Sequence, residues 1–417
     1  MPNSISPRPK PDRPFDVVLF GATGFVGRQT VAYFAAHAQV KASGLRWALG
    51  GRNQDKLEQV RSNTPGADDA GILVAAADDA AALDALAKSA RVVLSTAGPF
   101  ALYGSALVAA CVKHGTHHVD ITGETPWVAS MIAQHHQQAA SEGTRIIPFC
   151  GFDSVPSDLG TYMMVQEMQQ RHGQACADVK AAFSLKGGVN GGTLASLFNI
   201  MGSGQAAALA NPFLLNPANS VPADTSAHAD PVAPVRDTQF NAWLGPFFMG
   251  PINTRVVRRS AALLGATQGY APDFHYQEYL RVGSTVVAGA AAAALSSSMA
   301  FSQFAMKAST VRKLAAALMP RAGSGPSVAS MDGGSFRCEL VAQSASGKLL
   351  RGRVADQGDP GNRATTKLLC EAALSLGLDF DQLPGGASYG GVLTPATGLA
   401  NVLLKRLRLA GMNLTVD

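Results

Sequence analysis

The stretch VVLFGATGFVGRQTVAYFAAH, from Val17 to His37, decides the fold. Its glycines follow FDVVLF, a short apolar run with the composition of a strand buried on both faces of a parallel sheet. After them, Val26, Thr30, Tyr33 and Phe34 recur at helical spacing, so one face of a helix can pack on that sheet. A glycine-rich turn between a strand and a helix is the setting in which a dinucleotide is held. Gly21 permits the tight turn, Gly24 lets backbone approach a pyrophosphate, and Gly27 lets the helix lie close to the strand. The backbone from Gly21 through Thr23, Gly24, Phe25, Val26 and Gly27 then presents N–H groups and the positive end of the helix dipole to phosphate.

The next unit selects the nucleotide. LRWALGGRNQDKLEQV reads as a strand from Leu45 to Leu49, a glycine pair, and a helix from about Gln54. A site for NAD ends this strand in an acid that binds the ribose 2′-hydroxyl. Here the positions carry Arg52 and, one turn on, Lys56, which suit a 2′-phosphate. The expected cofactor is NADP(H).

Strand-like and helix-like segments keep alternating to about Cys150, which predicts a doubly wound parallel sheet with right-handed crossovers. Asp78, at the end of the third strand, is placed to meet the adenine, and a capping role on the following helix is equally open and compatible with that. STAGPFALYG, residues 95–104, follows the fourth strand at the edge where such sheets bind ligands. Ala97, Gly98 and Pro99 would shape the loop beneath the nicotinamide ribose. Tyr103 is either a proton donor or a tyrosine that packs the loop.

Beyond Cys150 the pattern changes. GFDSVPSDLG opens a helix expected to be capped near Ser157 or Asp158, with Asp153 just before it. Residues 211–235 read as a long surface loop or lid. Arg255, Arg258 and Arg259 form a basic cluster, read as a solvated face or a contact for an acidic carrier partner. Val282 to Met306 carries no charge and is dominated by Ala, Ser and Gly, so a buried helix or hairpin is expected over a bilayer span, with peripheral membrane contact left open. GSFRCELVAQSASGKLLRGRVADQ predicts an antiparallel strand pair, NRATTKLLCEAALSLGL an amphipathic helix, and the last helix carries its cations at its C-terminal end.

A chain of 417 residues has room for two to three domains. Its net charge of +5 is scattered and comes without a nucleic-acid motif, so no nucleic-acid partner is expected. Five separated cysteines indicate neither a disulfide framework nor a zinc site, and the adjacent pairs His117–His118 and His135–His136 cannot share a helix face, so no metal is expected. The proline-rich residues 1–14 read as a disordered tail, and a cytoplasmic setting is the default, with peripheral contact at the inner membrane left open.

The motifs FGATGFVG, LGGRNQDKL, TAGPFALYG, VDITGE, GFDSVPSDLG, GGTLAS, NTRVVRRS, GDPGNRATTKLL and GGVLTPAT, in this order, resemble the saccharopine dehydrogenase-like oxidoreductases. The similar branch includes mycobacterial trans-acting enoyl reductases and animal saccharopine dehydrogenase-like proteins. The resemblance implies a Rossmann-type NADP-binding domain over 15–150, an α+β substrate domain over 151–359, and C-terminal helices over 360–417 that return to the Rossmann domain. It also implies that Tyr103 and Asp153 lie near the nicotinamide, as candidate catalytic residues. The apolar middle region fits a hydrophobic acyl or polyketide-like chain, free or carrier-bound, whose enoyl or keto group is reduced. Two alternatives stay open: reduction of an imine or ketone of an amino-acid-like substrate, and an NADPH-binding, lipid-associated protein with little catalysis. A homo-oligomer is compatible with all three.

Overall fold

The computed structural model describes residues 13–187, 205–305, 308, 311 and 325–417. The motif GGTLAS and the apolar stretch Leu194 to Met201 lie outside the described residues, as does Met306.

Seven parallel strands form the first sheet, in the order β13-β6-β5-β4-β1-β2-β3. They are β1 Phe15–Phe20, β2 Trp47–Gly51, β3 Gly71–Val74, β4 Ala90–Ser95, β5 His117–Asp120, β6 Arg145–Ile147 and β13 Gly391–Val392. Strand order reverses between β1 and β4, so their carboxyl ends border the crevice in which such sheets bind ligands. Val17 and Leu19 enter one hydrophobic core while Val18 and Phe20 enter the other, so β1 is buried on both faces. The helices α1 Phe25–Ala36, α2 Ala38–Ser43, α3 Gln54–Ser62, α4 Ala80–Ser89, α5 Phe100–Tyr103, α6 Ser105–His114 and α7 Thr125–Ser141 connect these strands.

The expected strand at Leu45 to Leu49 is displaced. β2 runs through Gly50 and Gly51, because Gly50 pairs with Phe20 of β1 and Gly50 and Gly51 pair with Leu73 and Val74 of β3. Arg13, inside the stretch expected to be a tail, is buried and donates to the carbonyls of Ala87, Ala90 and His114.

The second sheet is mixed, in the order β14-β12-β11-β7-β10-β9-β8. It comprises β7 Cys176–Lys186, β8 Val235–Asp237, β9 Ala242–Pro246, β10 Tyr270–Gly283, β11 Ser335–Ser344, β12 Leu349–Gln357 and β14 Asn413–Val416. β7 and β10 pair in parallel; β11 and β12 form the expected antiparallel pair. α8 Val155–His172 packs on this sheet, and α9 Gly250–Leu264 packs on β10. α10 Val286–Ala305 is one continuous helix, neither a hairpin nor fully buried. Ala288, Ala292 and Ser296 face the sheet, while Val286 and Phe301 are exposed. Among the described residues, no helix is long and apolar enough to cross a membrane.

After the short α11 Val328–Asp332 and β12, a turn of π-helix, Pro360–Ala364, leads into α12 Thr365–Leu378. α12 is not amphipathic. Leu368, Leu369, Cys370, Ala372, Ala373 and Leu374 are all fully buried, because the helix lies between the parallel sheet and the helices around it. It contacts β1, β4 and β5 as well as α1, so the C-terminal segment does return to the first sheet. Its one acid, Glu371, accepts Tyr33 Oη at 2.6 Å, lies 3.0 Å from His37 Nε2, and pairs at 2.7 Å with Arg406. α13 Pro395–Gly398 and α14 Ala400–Leu409 complete the fold.

Candidate active site

The glycine turn has the geometry a pyrophosphate needs. Gly21 adopts φ +85°, and its N–H donates to the Gly50 carbonyl at 2.9 Å. A Cβ on Gly27 would lie 2.1 Å from the Gly21 carbonyl oxygen, so only glycine lets α1 start directly on the turn. Gly24 caps α1 without a side-chain bond, and the first intrahelical bond joins Arg28 N–H to the Gly24 carbonyl at 3.0 Å. The first-turn N–H groups, on Phe25, Val26 and Gly27, are thereby left for a ligand, at the positive end of the helix dipole.

At the end of β2, Arg52 and Lys56 are both exposed, and neither meets a carboxylate among the described residues. They fit the extra phosphate of NADP(H). Asn53, not an acid, caps α3 by accepting Lys56 N–H at 2.9 Å. Asp79, one residue beyond Asp78, caps α4 by accepting Ala82 N–H at 3.0 Å. That excludes the capping role for Asp78, which stays exposed on the approach to the helix.

The β4 loop meets the glycine turn across the crevice. Thr96 N–H donates to the Phe20 carbonyl at 2.9 Å, and its hydroxyl to the Gly21 carbonyl at 3.2 Å. Ala97, Gly98 and Pro99 follow, with a cis bond between the last two, and then α5. Tyr103 does not pack the loop: it is 47% exposed, and its hydroxyl has no partner among the described residues. Holding α5 in place is Glu124, which is 1% exposed and accepts Phe100 N–H at 2.7 Å and Ala101 N–H at 3.1 Å.

Asp153 lies in the β6–α8 loop, where a Cβ at Gly123 would come within 3.7 Å of its carboxylate. Burial pushes its pKa up to about 6. The same Gly123 position faces Ile252, and the Gly151 position faces Ile121 and Thr365, so apolar groups surround this loop. Thr365 links the loop to the C-terminal segment, accepting Phe152 N–H at 3.1 Å and donating to the Pro360 carbonyl at 2.9 Å. α8 starts at Val155, two or three residues before the expected cap, and Ser154 precedes it. Ser154 donates to Asn253 at 3.1 Å, and Asn253 donates to Glu278 at 2.8 Å. Glu278 also accepts Ser157 at 2.7 Å and Tyr276 at 2.8 Å, and burial raises its pKa to about 7. Asp158 lies in the first turn of α8 without capping it, and accepts the Ala396 N–H at 2.8 Å and the Ser260 hydroxyl, joining GFDSVPSD to GGVLTPAT.

The basic cluster of α9 is neither solvated nor offered to a partner. Arg255, Arg258 and Arg259 are each at most 2% exposed. Arg258 donates to the carbonyls of Pro212 and Tyr276, at 3.0 and 3.2 Å. Arg259 donates to Val392 at 2.6 Å and to Leu215, and Arg255 to Leu209 and to Asp230. The three guanidiniums staple the segment expected to be a lid onto the body of the protein.

A family model described as the saccharopine dehydrogenase NADP binding domain matches residues 17–147. Over 420 residues, covering 96% of this chain and 97% of the other, the sequence is 37% identical to a Mycobacterium tuberculosis protein provisionally named a trans-acting enoyl reductase. The chain belongs to the saccharopine dehydrogenase-like oxidoreductases, and it binds NADP(H). A trans-acting enoyl reductase of Mycobacterium bovis is 35% identical over 423 residues, with 96% of this chain and 97% of the relative covered. Among solved structures, the apo saccharopine dehydrogenase (L-Glu forming) of Saccharomyces cerevisiae superposes with a TM-score of 0.51 at 12% identity, covering 97% of this chain and 99% of that one. A homospermidine synthase from Legionella pneumophila gives 0.52 at 9% identity, covering 97% and 91%. These two share the fold.

Several residues that build the site carry no role in the sequence reading. Glu124 and Thr365 sit inside VDITGE and GDPGNRATTKLL, motifs that were legible, but their contacts cross from one motif to another. Asn253 likewise opens the motif NTRVVRRS, with contacts that leave it, whereas Glu278 had no signal, because a buried glutamate on a strand reads as an ordinary polar position.

Proposed function

We propose that the protein reduces the enoyl group of a hydrophobic acyl thioester, free or carrier-bound, with NADPH as reductant. Support comes from the mycobacterial relatives' names and from one observation: the three arginines best suited to hold a substrate's carboxylates are committed to backbone carbonyls and Asp230 in the interior. Gly123 lies beside the Asp153 carboxylate and faces Ile252, and Gly151, in the same loop as Asp153, faces Ile121. An amino-acid substrate would leave its charges unpaired there, whereas an acyl chain would not.

Bound NADPH supplies a hydride to the β-carbon of the conjugated thioester. The turn from Gly21 to Gly27, with Thr23 within it, holds the pyrophosphate, Arg52 and Lys56 hold the 2′-phosphate, and Asp78 lies toward the adenine. Ala97, Gly98 and Pro99 form the floor under the nicotinamide ribose. Around Gly98 the backbone donors are taken, Gly98 N–H by the Thr96 carbonyl and Phe100 and Ala101 N–H by Glu124, so the backbone near Gly151 stabilises the developing enolate oxygen. Tyr103, or a water held by Asp153, delivers the proton to the α-carbon.

The test is NADPH consumption with a medium-chain 2-enoyl thioester, against a mixture of a 2-keto acid and an amino acid. Oxidation with the thioester alone is expected. Oxidation with the keto acid and amine alone would assign the protein to imine reduction instead.

A further inference from the structure

Glu124 holds a carboxylate at 1% exposure, and among the described residues its two oxygens accept the consecutive backbone N–H groups of Phe100 and Ala101, at 2.7 and 3.1 Å. Burying a carboxylate is costly unless hydrogen bonds replace its hydration. Its own segment is braced at the end of β5: Glu124 N–H donates to Thr122 Oγ1 at 3.0 Å, and Thr122 N–H to Asp120 Oδ1 at 2.9 Å. Asp120 in turn is tied to His118 at 3.0 Å.

The other end of α5 is held from the same segment. Trp127, one turn into α7, lies 5.7 Å from the Phe100 ring, centroid to centroid, and donates from Nε1 to Ser105 Oγ at 2.9 Å. A Cβ on Gly104 would meet the Trp127 ring at 2.7 Å. α5 is therefore pinned at both ends by 124–127, and between the pins Leu102 and Tyr103 project outward.

We infer that Glu124 is the positioning residue that fixes the 96–103 loop, and with it Tyr103, against the nicotinamide. The inference rests on the nucleotide reading above. Both acceptor atoms matter. Glutamine has the same shape but places an NH2 opposite one of the two N–H donors, so one bond is replaced by a donor–donor conflict. The loop would then lose its fixed orientation while the pyrophosphate turn and Arg52, on other loops, stay as they are.

The experiment measures NADPH bound to wild type, Glu124→Gln and Glu124→Asp, by calorimetry for affinity and by the fluorescence lifetime of the nicotinamide for its mobility. In both variants, affinity should fall by less than on loss of Arg52, because the pyrophosphate turn and Arg52 keep their contacts when only the floor under the nicotinamide loosens, while the lifetime moves toward that of free NADPH. A purely structural residue would lower affinity and thermal stability together and leave the bound nicotinamide unchanged; that result overturns the inference. Failure of both variants to fold, judged by circular dichroism, overturns it as well, because Glu124 would then hold the domain and not the loop. Wild type that binds no NADPH removes the nucleotide reading itself. Wild type that immobilises the nicotinamide, with variants that do the same, defeats only the role of Glu124.

Discussion

A Cβ on Gly27 would lie 2.1 Å from the carbonyl oxygen of Gly21, closer than any real side chain approaches. The start of α1 is therefore pressed onto the turn that receives the pyrophosphate. Gly27→Ala forces the two apart. It should cost about 1–3 kcal/mol of stability, as overpacking does, and should weaken NADPH binding far more than a surface change on α1 would. Thermal melts with and without NADPH check this: the variant should lose most of the nucleotide-induced rise in Tm.

Tyr103 is exposed and unpartnered among the described residues, as a proton donor waiting for substrate would be. Tyr103→Phe should lower kcat by about 10²–10⁴-fold with NADPH affinity unchanged. Full turnover in that variant would pass the role to Asp153, whose pKa is pushed up to about 6. In that case kcat should fall as pH rises through about 6, where the carboxyl loses its proton, and Asp153→Asn should remove that limb.

Glu278 makes a statement about stability. Burial raises its folded pKa from 4.5 to about 7. The folded state thus holds its proton where the unfolded chain has already released it, so stability declines as pH rises from about 4.5 to about 7 and levels off above. Glu278→Gln has no proton to lose. Its Tm should vary less than that of wild type between pH 5 and pH 8, whatever its absolute value; an equal or steeper decline would contradict the assignment.

Arg259 bonds the Leu215 and Val392 carbonyls from the interior. Arg259→Met strands both acceptors, at about 1–3 kcal/mol each. Denaturant melts should show that loss, while NADPH affinity stays at the wild-type level. A weakened nucleotide with unchanged stability would mean that this guanidinium serves the site after all.

The first sheet was legible because its signals are local. A six-residue strand with five apolar positions, three glycines and a helical stripe all lie within 22 residues of one another, Phe15 to Ala36. Arg52 and Lys56 follow β2 as exposed side chains, as a local reading of LGGRNQDKL puts them. What could not be read is what depends on distant partners. Arg255, Arg258 and Arg259 look like a surface patch until residues 205–235 fold over them. α12 looks amphipathic until the sheet and the surrounding helices enclose it. Asp158 looks like a cap for its own helix, whereas its partner is Ala396, 238 residues away. Sequence periodicity carries no information about such pairings.

The most direct test of the account is nucleotide binding to wild type and Arg52→Ala, with NADPH and NADH titrated in parallel by calorimetry. The account predicts tight NADPH binding that weakens by about 1–3 kcal/mol without Arg52, as loss of a charge-assisted contact would, and NADH binding that is weak and indifferent to the substitution. Equal affinity of wild type for both nucleotides, unchanged by the loss of Arg52, would contradict it.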